Sequence, residues 1–143
     1  MKKYLFLIIG LIGLVGMSGC KKTEVVETAI MPNKTFIYTV DGNSSGWKYS
    51  PDGLTLQYDI NLPELEQYYL EQGNVSVAIS LDDETSYEIL PATFNGYAYS
   101  VNYTTGFVSL KVEDPLLDPD FELVPPGDKI VVKIVLSDSD YIE

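Results

Sequence analysis

A chain of 143 residues has room for one domain, and a hydrophobic share of 45% is enough for a packed core, which excludes a disordered polymer. The formal net charge is -12, all nine basic residues are lysines, and there is no histidine. From Cys20 onward seven lysines stand against all 21 acids, a net of -14. Such a surface repels phosphate backbones, and without arginine forks or a basic patch nucleic-acid recognition is excluded.

The chain opens with Met1-Lys2-Lys3, continues apolar or glycine through Tyr4–Val15, and reaches Gly16-Met17-Ser18-Gly19-Cys20. A basic start, a short apolar run and small residues at its end are the order of a secretory signal peptide. The apolar run is about a dozen residues, short of the roughly 20 a helix needs to span a bilayer. Met17-Ser18-Gly19-Cys20 resembles a lipobox, with Met where Leu is usual. The resemblance implies that diacylglycerol is joined to the Cys20 thiol, that the chain is cut between Gly19 and Cys20, and that the new amino terminus is acylated. It further implies a signal peptide over 1–19 and a bacterial envelope address, in the outer membrane on its periplasmic face or at the cell surface. Cys20 is the only cysteine, so no internal disulfide forms and the fold must hold by packing. Residues 20–33 are polar and weakly patterned and read as the lipidated tether, with Val25–Ile30 as an optional edge strand.

The folded domain is expected over 34–143. Phe36, Tyr38 and Val40 alternate with Ile37 and Thr39, the strand period. A turn cluster at 41–46 precedes Trp47-Lys48-Tyr49. Pro51-Asp52-Gly53 then suits a type I turn closed by a left-handed glycine. Leu54, Leu56, Tyr58, Ile60 and Leu62 form one alternating face. Asn61, Pro63 and Glu64 are helix-start chemistry, and Gly73 is a helix stop, which predicts one short helix over 63–72. Val75 to Leu81, Tyr87 to Leu90, Tyr97 to Tyr103 and Phe107 to Val112 read as strands, with Asp82-Asp83-Glu84 as a hairpin tip. In the hairpin at Thr104-Thr105-Gly106, facing Tyr103 with Val108, Val101 with Leu110 and Tyr99 with Val112 sorts apolar from polar side chains. That register turns Tyr99 and Tyr103 to the core; a three-residue loop would mix the faces. After an acidic, Pro-rich connection over 113–128, Lys129–Leu136 is apolar enough for a central strand covered on both faces. About seven to eight strands and one helix predict an all-β, antiparallel sandwich of immunoglobulin or fibronectin type.

The order of features carries a resemblance. A Trp follows the first strand, Leu62-Pro63 opens a short helix, Gly73-Asn74-Val75 starts an apolar strand, and Leu90-Pro91 precedes the last hairpin and a final Val/Ile strand. This resembles a group of small Bacteroidetes-type lipoproteins over most of residues 36–136. The resemblance implies a β-sandwich on an envelope tether, and no activity.

Three motifs bear on chemistry. Gly42-Asn43-Ser44-Ser45-Gly46 fits the G-x-S-x-G elbow, but that motif needs a histidine base and a strand-to-helix turn. Ser45 and Lys48 fit S-x-x-K, without its companion motifs and without a helix to align them. Asp114, Asp118, Asp120 and Glu122, with Asp128 nearby, offer hard oxygen ligands for calcium, but Leu123 and Lys129 stand where an EF-hand needs Gly and Glu. The expectation is therefore a chain that is not an enzyme, with no catalytic residues, cofactor or metal site: a monomeric binding or structural module attached to a membrane by its lipid, its protein or glycan partner unspecified. The alternative is a carbohydrate- or calcium-binding accessory module of a cell-surface complex, since ten of the eleven tyrosines follow Cys20.

Overall fold

The computed structural model describes residues 33–139, apart from 44 and 119. The signal peptide over 1–19, the Gly19–Cys20 cut, the lipid on Cys20, the tether and the optional strand at 25–30 lie outside the described residues. So does Ser44 of the elbow motif.

Nine strands and one helix follow in chain order: β1 (Lys34–Asp41), β2 (Trp47–Tyr49), β3 (Thr55–Asn61), α1 (Gln67–Glu71), β4 (Asn74–Ser80), β5 (Glu88–Ile89), β6 (Ala92–Phe94), β7 (Tyr97–Thr104), β8 (Phe107–Glu113) and β9 (Lys129–Ser137). They form two antiparallel sheets, β1-β9-β4-β5 and β2-β3-β8-β7-β6, stacked as the expected all-β sandwich. Alternation puts Val40, Val77, Ile79, Ile130, Val132, Ile134 and Leu136 of one sheet against Leu56, Ile60, Tyr99, Val108, Leu110 and Val112 of the other, all buried. The outer face of β3 and β8 carries Gln57, Asp59, Ser109 and Lys111 instead.

The β7–β8 hairpin takes the register its side chains demand, with Tyr103 opposite Val108, Val101 opposite Leu110 and Tyr99 opposite Val112. Its loop is Thr105-Gly106, and Gly106 holds the left-handed backbone such a loop needs, φ 82°. Gly53 does the same at φ 74°. β9 is central in its sheet, between β1 and β4. Its outer face is only partly covered: Val131 is buried, but Lys133 and Val135 are half-buried.

Two expectations are corrected by packing. The helix covers 67–71, not 63–72. The Leu65 carbonyl, which in a helix over 63–72 would accept the Tyr69 N–H, instead accepts the Gly106 N–H at 2.8 Å, while Leu62 N–H donates to the Gly106 carbonyl at 2.8 Å and Tyr69 N–H turns to the Glu66 carbonyl at 3.0 Å. The hairpin tip thus diverts one helical acceptor, and residues 62–66 close instead as tight turns, Leu65 N–H donating to the Leu62 carbonyl and Glu66 N–H to the Glu64 carbonyl, each at 3.0 Å. Gly73 has no left-handed backbone. A Cβ there would lie 2.6 Å from the Tyr69 ring and 3.1 Å from the Ser137 carbonyl, so glycine serves close packing of β9 on α1. The ninth strand, β6, is additional to those expected.

Candidate functional site

One concave feature among the described residues is an open pocket of about 280 Å³ at one end of the sandwich, lined by Ile79, Ser80, Leu81, Asp82, Ser86, Glu88, Phe94 and Asn95. Two turns build it. One follows β4, where Asp83 and Glu84 both take positive φ, 53° and 66°. The other is Asn95-Gly96 between β6 and β7, at φ 51° and 80°, which is type I′ geometry. They meet because the chain leaves one sheet at β5 and enters the other at β6, through a cis Leu90–Pro91 peptide.

Asp82 organises the first turn. Its carboxylate accepts the Ser86 hydroxyl at 2.6 Å, the Ser86 amide at 3.0 Å and the Ser80 hydroxyl at 2.7 Å. Those bonds hold its pKa down at about 2, from an ordinary 3.8. Ser80 is buried and fully engaged, since its oxygen also accepts the Glu84 amide at 2.9 Å. Beside the turn, the Tyr87 hydroxyl donates to Glu84 at 2.7 Å, which pushes the phenol up to about 12. The Lys133 ammonium sits 3.7 Å from the Tyr87 ring centroid, and Lys129 pairs with Asp83. Phe94, half-buried, stacks on Tyr99 with centroids 4.7 Å apart at 15°.

A carboxylate ionised down to about pH 2 is a weak base, and the serine hydroxyls around it donate to it without being activated. The walls combine the Asp82 and Glu88 carboxylates, the Ser86 hydroxyl and the Asn95 amide with the Phe94 ring, the mixture that orients small polar ligands.

The other motifs are not brought to this pocket. The turn at 41–46 is packed against the connection before β9: Gly42 N–H donates to the Asp128 carbonyl at 3.0 Å, and a Cβ on Gly42 would collide with the Pro126 carbonyl at 1.6 Å. Lys48 pairs with Asp59 at 3.2 Å on the outer face of β3. There Ser109 and Gln57 bonds, ahead of Lys48, lower the Asp59 pKa. In the acidic connection Asp114 accepts the Asp118 amide at 2.7 Å and Asp118 accepts the Asp120 amide at 2.9 Å, so these carboxylates shape turns. Among the described residues, no three acidic or thiol side chains converge as a metal would require. Of the described tyrosines only Tyr49 is exposed, at 54%, and its hydroxyl donates to the Leu123 carbonyl at 2.9 Å. Trp47 is buried edge-on against Tyr58.

The pocket itself went unread in the sequence. The Asn95-Gly96 pair, flanked by Ala92-Thr93-Phe94 and Tyr97-Ala98-Tyr99, was the signal that would have found one wall. No protein-family model matches the chain, and no curated protein or solved structure gives a match.

Proposed function

We propose that this chain is a lipid-anchored bacterial envelope protein whose β-sandwich is a non-catalytic binding or structural module, held at the outer membrane through Cys20. The carrying observation is the sequence Met17-Ser18-Gly19-Cys20, with the only cysteine of the chain placed directly after a signal-type apolar run. Multiple acyl chains make such an anchor firm, because each buried methylene contributes about 0.8 kcal/mol. The net of -14 beyond residue 19 disfavours anionic lipid headgroups as the attachment and leaves the lipid to provide it.

The test is metabolic labelling with an alkyne fatty acid, followed by membrane fractionation. The unsubstituted chain is expected to take the label and sediment with membranes; Cys20→Ala loses the label, keeps the signal peptide uncut at that site and fails to mature. Equal labelling of Cys20→Ala sinks the proposal. Protease treatment of intact cells then separates a surface address from a periplasmic one.

A second reading is favoured by the pocket lined by Asp82, Ser86, Glu88, Phe94 and Asn95: an accessory module that binds a carbohydrate there. Hydrogen-bonding groups beside an aromatic ring are what a sugar requires, and the engagement of Asp114 and Asp118 with backbone amides weighs against calcium in the long connection.

A further inference from the structure

Three of the four sheet edges are short. β5 has two residues, and β2 and β6 have three each. Stubs of that length give another chain few backbone groups to pair with, one of the ways sheet proteins protect their edges. β1 is different. Its eight residues pair with β9 in continuous register without a bulge, and among the described residues nothing pairs with its other side. No proline interrupts it, and its charges, Lys34 and Asp41, stand at its ends.

One hydrogen bond fixes which groups face outward. Gly42 N–H donates to the Asp128 carbonyl, and that pair continues the β1–β9 register. Bonded and non-bonded pairs alternate along an antiparallel ladder. Phe36, Tyr38 and Val40 therefore bond to β9, while the N–H and C=O groups of Thr35, Ile37 and Thr39 point to the free edge. Their side chains are exposed, Ile37 at 48%.

The run Thr35-Phe36-Ile37-Tyr38-Thr39 reads the same by side-chain class in both directions. A two-fold axis through Ile37, normal to the sheet, sets Thr35 against Thr39, Phe36 against Tyr38 and Ile37 against itself. Each pair falls on one face of the continued sheet, and the outward-aimed backbone groups of Thr35, Ile37 and Thr39 meet their own counterparts. Threonine pairs and aromatic pairs are favourable cross-strand neighbours. No like charges face each other, since Lys34 falls opposite Val40 and Asp41 opposite Asn33. β1 and β9 together carry Lys34, Lys129 and Lys133 against Asp41 alone, so the acidity that keeps copies apart is carried elsewhere.

We infer that the free edge of β1 is an interaction surface for a second copy of this chain, paired antiparallel about Ile37 into one sheet running through both, in place of the monomer expected from sequence. The pairing does not depend on how the chain is anchored.

The test is cysteine cross-linking of the full chain in cells. Oxidised Ile37→Cys is expected to give a covalent dimer, because its two copies face each other about 5.5 Å apart at Cα. Thr35→Cys and Thr39→Cys are each expected to give none alone, their own copies lying about 14 Å apart, and to cross-link when co-expressed. Adding Ile37→Pro removes the central edge N–H, which β9 does not use, and is expected to cut the Thr35/Thr39 cross-link at least tenfold with unchanged circular dichroism. The unsubstituted chain shows any link through Cys20 itself, which would count against the lipid reading and not against this one. Dimer from Ile37→Cys no greater than from Ile89→Cys, an exposed thiol on the opposite edge of the same sheet, overturns the inference. So does a Thr35/Thr39 link undiminished by Ile37→Pro. Slow amide exchange at Ile37 and Thr39 without any cross-link also overturns it, and identifies a different occupant such as residues 25–30 of the same chain.

Discussion

Asp82 shows how a single acid can hold a turn. With three donors on one carboxylate, its pKa lies at about 2 against an ordinary 3.8. A depressed folded-state pKa contributes stability that is present above the unfolded value and is lost as pH falls through the folded one. The contribution of Asp82 is therefore intact above about pH 4 and disappears as pH falls toward 2. Asp82→Asn cannot titrate, so its melting temperature is expected to fall less steeply than that of the parent between pH 4 and 2. Parallel curves in thermal melts across that range would sink this account.

At the level of elements, the β7–β8 hairpin was legible because one buried face leaves only one register that keeps Ser100, Asn102, Ser109 and Lys111 out of the core. The helix start was less legible. Asn61, Pro63 and Glu64 carry the right local chemistry, but Gly106 competes for the Leu65 carbonyl from across the fold. β6 was overlooked because three residues are too few for alternation to register, although the Asn-Gly turn after it was in plain view. The pocket was hidden for a related reason: its walls come from turns on different sheets, and no spacing in the chain announces that they meet. Since Gly106 both closes a hairpin at φ 82° and bonds the turn before α1, Gly106→Ala is expected to destabilise the domain by about 1 kcal/mol or more. Urea unfolding would measure it, and a change under about 0.3 kcal/mol would show that the tip is not a structural link.

For the whole molecule, the stacking of two sheets concentrates the core on β9, whose Ile130, Val132, Ile134 and Leu136 are all 0% exposed. Truncating one of them leaves a hole lined by both sheets. Ile134→Ala is expected to cost about 2–5 kcal/mol, a large part of the stability of a domain this size. Denaturant melts with an unchanged m-value and a lowered midpoint would bear this out. A loss below about 1 kcal/mol would mean that the sandwich can collapse around the gap.

The position of β9 also sets an order of events. The last of the described strands is the one inserted between β1 and β4, and β1 has no other described partner in its sheet. Residues 42–128 lie between the two strands that must meet, so their pairing is a long-range, late step of folding. The two sheets therefore differ in kind: β2 with β3, and β6, β7 and β8 in turn, can pair from neighbouring stretches of chain, whereas β1 and β4 stay unjoined until β9 comes between them.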